Sequence, residues 1–373
     1  MHFETKAVHS GANPDEATGA ISPPIHLSTT FERNASDGQP SHGYSYIRDH
    51  NPTQTRLEAA LAAIDSAEAA LAFGSGMAAA AALFQSLPSG AHVLLPDDGY
   101  YAVRLLASDF FPRWGLTHGF TSMDDLDAVR KAMRPGTRAL WCESPSNPLM
   151  KITDIVAIAS IAHDGDALLI VDSTFATPAL QRPIELGADV VMHSTTKYLG
   201  GHSDVQGGSL AFRRRDELFE KTDHVRTIVG GVASPFNSWL VLRGIRTLAP
   251  RMRLHCENAG AIAEFLARQP RVEVVHYPGL PSDPGHAIAT KQMADFGGML
   301  SFRMKGGREE ALAVAAKTKV FTRATSLGGV ESLIEHRASS EGPASRTPPS
   351  LLRLSIGLEH KDDLIADLTQ ALE

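Results

Sequence analysis

The sequence is poor in cysteine, in aromatic residues and in long apolar runs. Its 373 residues include only two cysteines, Cys142 and Cys256, which form no CxxC or Cys/His cluster and are expected to be unpaired thiols in a reducing compartment. No apolar run approaches the ~20 residues that cross a bilayer. The opening segment, "MHFETKAVHSGANPDEATG", also lacks the apolar core of a secretory signal. We therefore expect a cytoplasmic protein that does not bind membranes.

The charge balance is mildly acidic and excludes other classes of partner. A formal net charge of -7, without any block of basic residues, gives nucleic acid little to bind. The 16 histidines are scattered without metal-ligand spacing, so no metal site is predicted. A content of 43% apolar and 21% charged residues is typical of a soluble globular protein, and the length suffices for about two domains.

The first two thirds of the chain change from an irregular segment to alternating helices and strands. Residues 1–52 show no sustained period, which predicts an extended arm that reaches a neighbouring subunit. Residues 53–71 keep near-helical apolar spacing, and Thr55 with Glu58 fits a capping box. Strands are then expected at 92–98, 138–143, 167–172 and 189–194, and helices at 123–133 and 153–163. This alternation predicts an α/β domain over 53–244 with a mostly parallel sheet covered on both faces.

After about residue 245 the pattern changes. Helices are expected at 259–269, at 308–319 and at the chain end, and strands at 272–277, 298–304 and 351–357. This order predicts a smaller α+β domain over 245–373.

Candidate ligand-binding residues follow the predicted strands of the larger sheet. In open α/β sheets ligands bind beyond the carboxyl ends of the strands. Asp172 ends one predicted strand, Asn147 follows a second and Lys197 follows a third. The turn "GSGM" opens an alanine-rich helix, so the N–H groups of Gly76 and Met77 favour an anion such as phosphate. Each feature alone is commonly a turn, a helix cap or a surface lysine, but their recurrence at one sheet edge indicates a single site.

One cofactor uses all of these groups. Pyridoxal phosphate has a phosphate to anchor, a pyridine nitrogen that draws electrons only while protonated, and an aldehyde that condenses with a lysine. Asp172 would keep the ring nitrogen protonated, and Ser194 and Thr196 would donate to the phosphate. Lys197 would hold the cofactor as an imine and would transfer protons once substrate has displaced it.

The sequence resembles the Cys/Met-metabolism family of pyridoxal-phosphate enzymes over nearly the whole chain. The resemblance rests on seven motifs in the family's order, namely "YSYIRDHNPT", "GSGMAA", "ESPSNP", "VDSTFATP", "STTKYLGGHSDV", "SLGGVESL" and "LLRLSIGLE". It implies the fold type I, or aspartate-aminotransferase-like, architecture. It also implies a homotetramer built as a dimer of dimers.

The resemblance also implies a role for individual residues. Lys197 would carry the cofactor, Asp172 would pair with the pyridinium, and Tyr100 would stack on the ring. Tyr46 and Arg48 of the arm would reach the phosphate of the neighbouring subunit's cofactor. The residues expected to hold the phosphate within the subunit are Gly76, Met77, Ser194 and Thr196. The residues expected to bind substrate are Arg353, which would clamp the α-carboxylate, with Asn147 and Ser326.

The particular reaction depends on positions where this chain departs from its family. Thr325 stands before "SLGG", where other members carry Glu, Tyr or Val, and its small side chain leaves room for a long γ-substituent. Tyr101 and Ala102 disfavour methionine γ-lyase. The loop 336–350 is short, lacks the usual "THAS"-like stretch and is expected to reshape specificity.

We therefore expect γ-replacement of the cystathionine γ-synthase kind or γ-elimination of the cystathionine γ-lyase kind. The alternatives left open are a cystathionine β-lyase, a pyridoxal-phosphate-dependent aminotransferase and a cofactor-binding regulator without turnover.

Overall fold

The computed structural model describes residues 1–343 and 345–373. The α-helices are α1 Phe3–His9, α2 Pro52–Ile64, α3 Gly76–Gln85, α4 Tyr101–Phe110, α5 Leu126–Ala132, α6 Ile155–Asp164, α7 Thr177–Leu180, α8 Glu217–Val229, α9 Pro235–Ile245, α10 Leu248–Ala267, α11 His286–Gln292, α12 Gly307–Lys317, α13 Arg337–Glu341 and α14 Lys361–Leu372. The strands are β1 Ala69–Phe73, β2 His92–Pro96, β3 Thr117–Thr121, β4 Thr137–Glu143, β5 Leu168–Asp172, β6 Val190–His193, β7 Gly208–Phe212, β8 Val272–His276, β9 Met299–Met304, β10 Thr322–Arg323, β11 Leu333–Glu335 and β12 Leu351–Ser355. Within these described ranges, no helix has the length and apolarity needed to cross a membrane.

The larger sheet is mostly parallel and is covered on both faces. Its strand order is β1-β7-β6-β5-β4-β2-β3, in which β7 runs antiparallel to both of its neighbours, β1 and β6, and the other pairs are parallel. Alternate residues of β4 show why its sequence is apolar without interruption: Leu140 and Cys142 belong to the apolar cluster on one face, and Ala139 and Trp141 to the cluster on the other. The predicted parallel sheet between helical layers is confirmed.

The smaller sheet lies in the C-terminal third of the chain. Its order is β10-β11-β12-β9-β8, and all pairs except β10 with β11 are antiparallel. Leu266 of α10, Val314 of α12 and Leu368 of α14 bury their side chains against this sheet in one cluster with Phe302 and Leu354. The predicted smaller α+β part is therefore present. The boundaries at residues 52 and 245 remain predictions.

The predicted helix over 53–71 is wrong in its second half. Helix α2 ends at Ile64, where Ser66 adopts a left-handed conformation with φ of 57°, and Ala69–Phe73 forms strand β1. The strand forms because its backbone pairs with Gly208–Phe212, a partner far away in sequence.

The predicted capping box of Thr55 and Glu58 is also wrong. Asn51 caps the helix instead, because its side-chain oxygen accepts a hydrogen bond from the Thr53 N–H at 2.9 Å. Thr55 lies inside the helix, and Glu58 accepts from the backbone N–H of Ala72 at 3.0 Å.

The predicted arm contains one helix that its sequence did not reveal. Helix α1 covers Phe3–His9 and buries Ala7 against α2. The arm is tied to its own subunit further along, where the indole N–H of Trp239 donates to the Pro23 carbonyl at 3.0 Å. The predicted arm therefore includes a helix at its start, and its contact with a neighbouring subunit remains a prediction.

Candidate active site

A cavity of about 480 Å³ lies at the carboxyl ends of the parallel strands, with walls from both sheet regions. The predicted site residues that line it are Gly76, Met77, Tyr100, Asn147, Asp172, Ser194, Thr196, Lys197, Ser326 and Arg353. Thr325 and Tyr101, at positions that depart from the family pattern, line it as well. The fold therefore brings together the residues predicted from strand ends and those, such as Tyr100, Ser326 and Arg353, that the family resemblance implied.

Tyr46 and Arg48 lie outside this cavity. An Nη1 hydrogen bond from Arg48 reaches the Thr227 carbonyl at 2.8 Å, and the guanidinium lies over the Tyr46 ring at 5.6 Å. The Tyr46 side chain is substantially exposed, with a fractional exposure of 44%. Within one subunit, Tyr46 and Arg48 therefore lie apart from the other predicted site residues.

The start of helix α3 forms the anion-binding end of the cavity. Ser75 caps the helix by accepting a hydrogen bond from the Ala78 N–H at 3.1 Å. A Cβ atom at Gly76 would lie only 2.9 Å from the Met192 side chain and 3.1 Å from Ser194 Cβ, so the close approach requires glycine. Gly76 and Met77, which open the helix, thus line the same cavity as Ser194, an arrangement suited to an anion such as phosphate.

The Thr196 hydroxyl is already engaged in hydrogen bonds within the chain. Its hydroxyl donates to the Gly207 carbonyl at 3.1 Å and accepts from the Gly207 N–H at 3.0 Å. A hydrogen bond from Thr196 to an anion would require the hydroxyl proton to leave the Gly207 carbonyl.

Asp172 presents a carboxylate at the end of β5. Its Oδ1 accepts from the Thr174 N–H at 3.0 Å and from the Thr174 hydroxyl at 2.6 Å. Burial raises the pKa of Asp172, while the Thr174 hydrogen bonds and the nearby His193 oppose the rise. A cationic ring nitrogen beside this carboxylate would favour its ionised form, because opposite charges stabilise each other in a buried site.

Lys197 follows β6 and lines the cavity. Its Nζ donates to the Ser326 hydroxyl at 2.7 Å. Burial, followed by the charge of Arg353, lowers the pKa of Lys197 to about 8. Ser326 has a φ of 85°, an uncommon left-handed conformation for a residue other than glycine, and such strain clusters at functional sites. The amine is therefore oriented and is partly unprotonated near neutral pH.

Arg353 is a buried cation on β12. It donates through Nη1 to the Asn147 side-chain oxygen at 2.9 Å and through Nη2 to the Ser326 carbonyl at 3.0 Å. Glu335 on the neighbouring strand accepts from Nη2 at 2.5 Å. Burial lowers the pKa of Arg353 to about 10, a shift that Glu335 opposes, and the group stays cationic at neutral pH. The three predicted substrate-binding residues Asn147, Ser326 and Arg353 thus form one contact group.

Sequence reasoning missed several residues that line the cavity. They include Ser75, Glu143, Thr174, Phe175, Gln206 and Arg337. Glu143 is the last residue of β4, so the strand-end rule that selected Asp172 could have found it. Its carboxyl accepts the backbone N–H of Tyr100 at 2.7 Å, and burial, followed by the charge of Asp172, raises the pKa of Glu143 well above its usual range. No short motif marks Arg337, which only the folded loop brings into the cavity.

Comparisons with known proteins agree over the whole length of the chain. The family model described as Cys/Met metabolism PLP-dependent enzyme matches residues 4–373. The chain is 50% identical over 374 residues to the cystathionine gamma-synthase of Mycobacterium tuberculosis, covering 99% of this chain and 96% of the relative. It is 44% identical over 381 residues to the cystathionine gamma-lyase of Bacillus subtilis, covering 100% of both. The crystal structure of MetB from Corynebacterium glutamicum has a TM-score of 0.97 at 44% identity and covers 100% of this chain and 98% of that one.

A mostly parallel sheet with a lysine, a carboxylate and a helix N-terminus at one edge defines a fold type I pyridoxal-phosphate enzyme. The chain belongs to the Cys/Met metabolism family of PLP-dependent enzymes. The predicted family, fold type, cofactor and trans-sulfuration class are confirmed. The residues present fit the cofactor, because the start of helix α3 at Gly76, the Asp172 carboxylate and the Lys197 amine line one cavity of about 480 Å³.

Proposed function

We propose that this protein catalyses γ-replacement, joining an activated homoserine to cysteine as a cystathionine γ-synthase does, with γ-elimination as a second reaction of the same site. The observation that carries the proposal is the short side chain of Thr325 in the cavity wall beside Ser326, which leaves room for a γ-substituent. The proton transfers are assigned to the Lys197 amine, held 2.7 Å from the Ser326 hydroxyl with its pKa lowered to about 8. An amine with these properties can take up and release protons near neutral pH. γ-Replacement would consume cysteine and serve the biosynthesis of methionine, whereas γ-elimination of cystathionine would release cysteine.

The cofactor roles follow from the cavity geometry. Pyridoxal phosphate supplies an electron sink and an aldehyde when bound. We assign Lys197 to the covalent link, Asp172 to the ring nitrogen and Tyr100 to the ring face. The residues assigned to the phosphate are Gly76, Met77, Ser194 and Thr196, of which Ser194 is the freer hydroxyl.

The substrate roles centre on Arg353. Its guanidinium would bind the α-carboxylate bidentately, and Asn147 and Ser326 hold it in place through their 2.9 Å and 3.0 Å contacts. Binding there would set the substrate Cα near the Lys197 amine. Lys197 would remove the Cα proton and, for γ-chemistry, a second proton from Cβ. The Ser326 hydroxyl would orient the amine between these two positions.

Thr325 supports γ-chemistry over β-elimination. It lines the cavity beside Ser326 with a short side chain. A longer γ-substituent therefore has room, and position 325 supplies no aromatic wall.

The proposed active site requires residues from a second subunit. Tyr46 and Arg48 lie away from the cavity of their own chain, so we assign them to the cofactor phosphate of a neighbouring subunit. This assignment requires at least a dimer, and we propose a homotetramer of two such dimers in the cytoplasm.

Product identification tests the function. The purified enzyme is incubated with O-succinylhomoserine or O-acetylhomoserine plus cysteine, and separately with cystathionine. The expected products are cystathionine in the first case and cysteine, 2-oxobutanoate and ammonia in the second. Release of only homocysteine, pyruvate and ammonia from cystathionine, with no homoserine ester consumed, would establish the β-lyase alternative. Conversion of the cofactor to its amine form by an amino donor would favour an aminotransferase, and absence of any turnover would favour a regulator.

A further inference from the structure

A second arginine shares the cavity with Arg353. Arg337 is the first residue of α13, in the short loop after β11. Its fractional exposure is only 3%, and it lines the same cavity as Lys197. The proposed function gives this buried cation no role.

Carboxylates behind Arg337 fix its guanidinium. Nη1 lies 3.2 and 3.3 Å from the two Glu335 oxygens, and Nη2 donates to Glu341 at 2.9 Å. Glu341 is itself held by the hydroxyls of Ser345 at 2.7 Å and Thr347 at 2.9 Å. The guanidinium plane is therefore set before any ligand arrives, which lowers the entropy cost of binding.

Arg337 retains donors for a ligand. A guanidinium carries five N–H groups, and its two carboxylate partners occupy only the Nη atoms. The Nε atom is buried and has no hydrogen-bond partner within residues 1–343 and 345–373. The guanidinium also lies 5.8 Å from the centre of the Tyr101 ring, at another edge of the cavity. A ligand that supplies an acceptor here would complete the coordination of Arg337.

Arg337 lies close to the proposed α-carboxylate clamp. Glu335 accepts from Arg353 at 2.5 Å and also contacts Arg337, so one carboxylate bridges the two guanidinium groups. Two cations separated by one carboxylate match a ligand with two carboxylates on a short chain. The Arg353 end is assigned to the α-carboxylate, which leaves Arg337 for the distal group.

We propose that Arg337 binds a carboxylate at the distal end of the substrate and so determines specificity. This inference rests on the proposed function. The Arg337 guanidinium would favour substrates that carry a second carboxylate, namely homoserine esters of a dicarboxylic acid and thioether amino acids such as cystathionine. Esters with an uncharged acyl group would bind less tightly. The physical basis is a charge-assisted pair in a buried cavity, where a neutral group would leave the guanidinium donors unpaired.

Binding of inert amino acids tests the proposal without turnover. L-2-aminoadipate and L-norleucine have chains of equal length and differ in a terminal carboxylate or methyl group. Their dissociation constants are measured on the holoenzyme by calorimetry and by the change in cofactor absorbance. We expect wild type to prefer aminoadipate, and Arg337→Met to weaken aminoadipate binding about 10- to 100-fold, as loss of a charge-assisted hydrogen bond predicts. Norleucine affinity should change less than about threefold on the same grounds.

Matched variants separate ligand binding from a structural role. Arg337→Lys should restore part of the preference because it keeps the charge. The double variant Arg337→Met/Glu341→Gln should lose the preference as well, although it keeps the local charge balance. Arg346→Gln changes an exposed arginine of the same loop and should bind both amino acids as wild type does. Equal weakening of both amino acids in Arg337→Met, or an unchanged preference, would overturn the proposal.

Steady-state kinetics then separate this inference from the proposed function. Arg337→Met should raise KM for O-succinylhomoserine much more than for O-acetylhomoserine. If wild type turns over neither ester, the proposed function fails. The dissociation constants of aminoadipate and norleucine still decide the role of Arg337 in that case. If both esters are turned over and the variant affects them equally, the role of Arg337 fails and the proposed function stands.

Discussion

Lys197 is a lysine whose surroundings disfavour its charge. Because burial and Arg353 lower its pKa to about 8, we expect the rate of covalent cofactor attachment to rise with pH and level off above that value. The reason is that only the unprotonated amine reacts with an aldehyde. The measurement is the rise in absorbance after pyridoxal phosphate is added to cofactor-free protein at a series of pH values.

Two lysine variants control this measurement. Lys197→Ala should form no covalent link, whereas Lys361→Ala, which removes an exposed lysine paired with Glu257, should behave as wild type. A rate that keeps rising toward the ordinary lysine pKa of ~10.4 would contradict the lowered value.

Burial and the charge of Asp172 raise the pKa of Glu143, so folding disfavours its ionised form. A folded-state pKa above the unfolded value means that stability falls as pH rises from the unfolded pKa through the folded one. Glu143→Gln cannot ionise and keeps an oxygen for the Tyr100 N–H. In cofactor-free protein it should therefore match wild type in acid and be equally or more stable at neutral and alkaline pH. Denaturant unfolding across pH measures this.

A variant without an acceptor provides the comparison for Glu143. Glu143→Leu should lose about 1–3 kcal/mol of unfolding free energy, because the Tyr100 N–H would remain unpaired. If Glu143→Gln loses as much at neutral pH, then the carboxylate is ionised and its charge is required.

Strand β7 packs against the turn that opens helix α3. A Cβ atom at Gly208 would lie 2.3 Å from the Ser75 carbonyl oxygen and 2.6 Å from the Gly76 nitrogen, so backbone would have to move. Gly208→Ala should therefore weaken cofactor retention and lower the unfolding free energy by about 1–3 kcal/mol, the usual range for overpacking. Cofactor retention is measured by absorbance after dialysis, and stability by denaturant unfolding.

Helix α10 offers the matched control. A Cβ atom at Gly260 would have no neighbouring atom within 4 Å among the described residues, so Gly260→Ala should stabilise the helix by about 0.5–1 kcal/mol and leave cofactor binding unchanged. Cofactor retention by Gly208→Ala equal to that of Gly260→Ala would show that the close approach does not shape the site.

The helices and strands that were predicted correctly are those whose apolar pattern is contained in a short stretch of sequence. The runs Ala139–Cys142 of β4 and Leu168–Val171 of β5 are apolar because both faces of the sheet are covered, and the acidic residue that ends each strand therefore indicated the sheet edge. The segment Ala69–Phe73 reads as helix because it is rich in alanine, but its state depends on pairing with β7, which local propensity does not report.

The site residues divide in the same way. Asp172 and Lys197 follow from strand ends, whereas Arg353, Tyr46 and Arg48 were predicted from the family resemblance. Arg337 was not singled out, although the loop 336–350 that contains it was expected to reshape specificity, because the approach of one loop side chain to the cavity depends on the path of that loop.

At the scale of the whole molecule, the site of one chain lacks the predicted contribution of Arg48. We expect Arg48→Ala to weaken cofactor retention and Lys197→Ala to abolish turnover. Mixed subunits should recover about a quarter of wild-type activity, since random pairing in a two-fold dimer gives half hybrids with one intact site each. Activity is measured after subunit exchange, with exchange itself verified by mass spectrometry on tagged chains. Absence of recovery despite complete exchange would place Arg48 within its own subunit's function.

The central claim is that Lys197 moves protons at both Cα and Cβ of the substrate, as γ-chemistry demands and β-elimination does not. Proton NMR in D₂O with L-2-aminobutyrate, which has no leaving group, tests this directly. We predict that wild type exchanges the Cα and Cβ protons for deuterium and that Lys197→Ala exchanges neither. Exchange at Cα alone would contradict the claim.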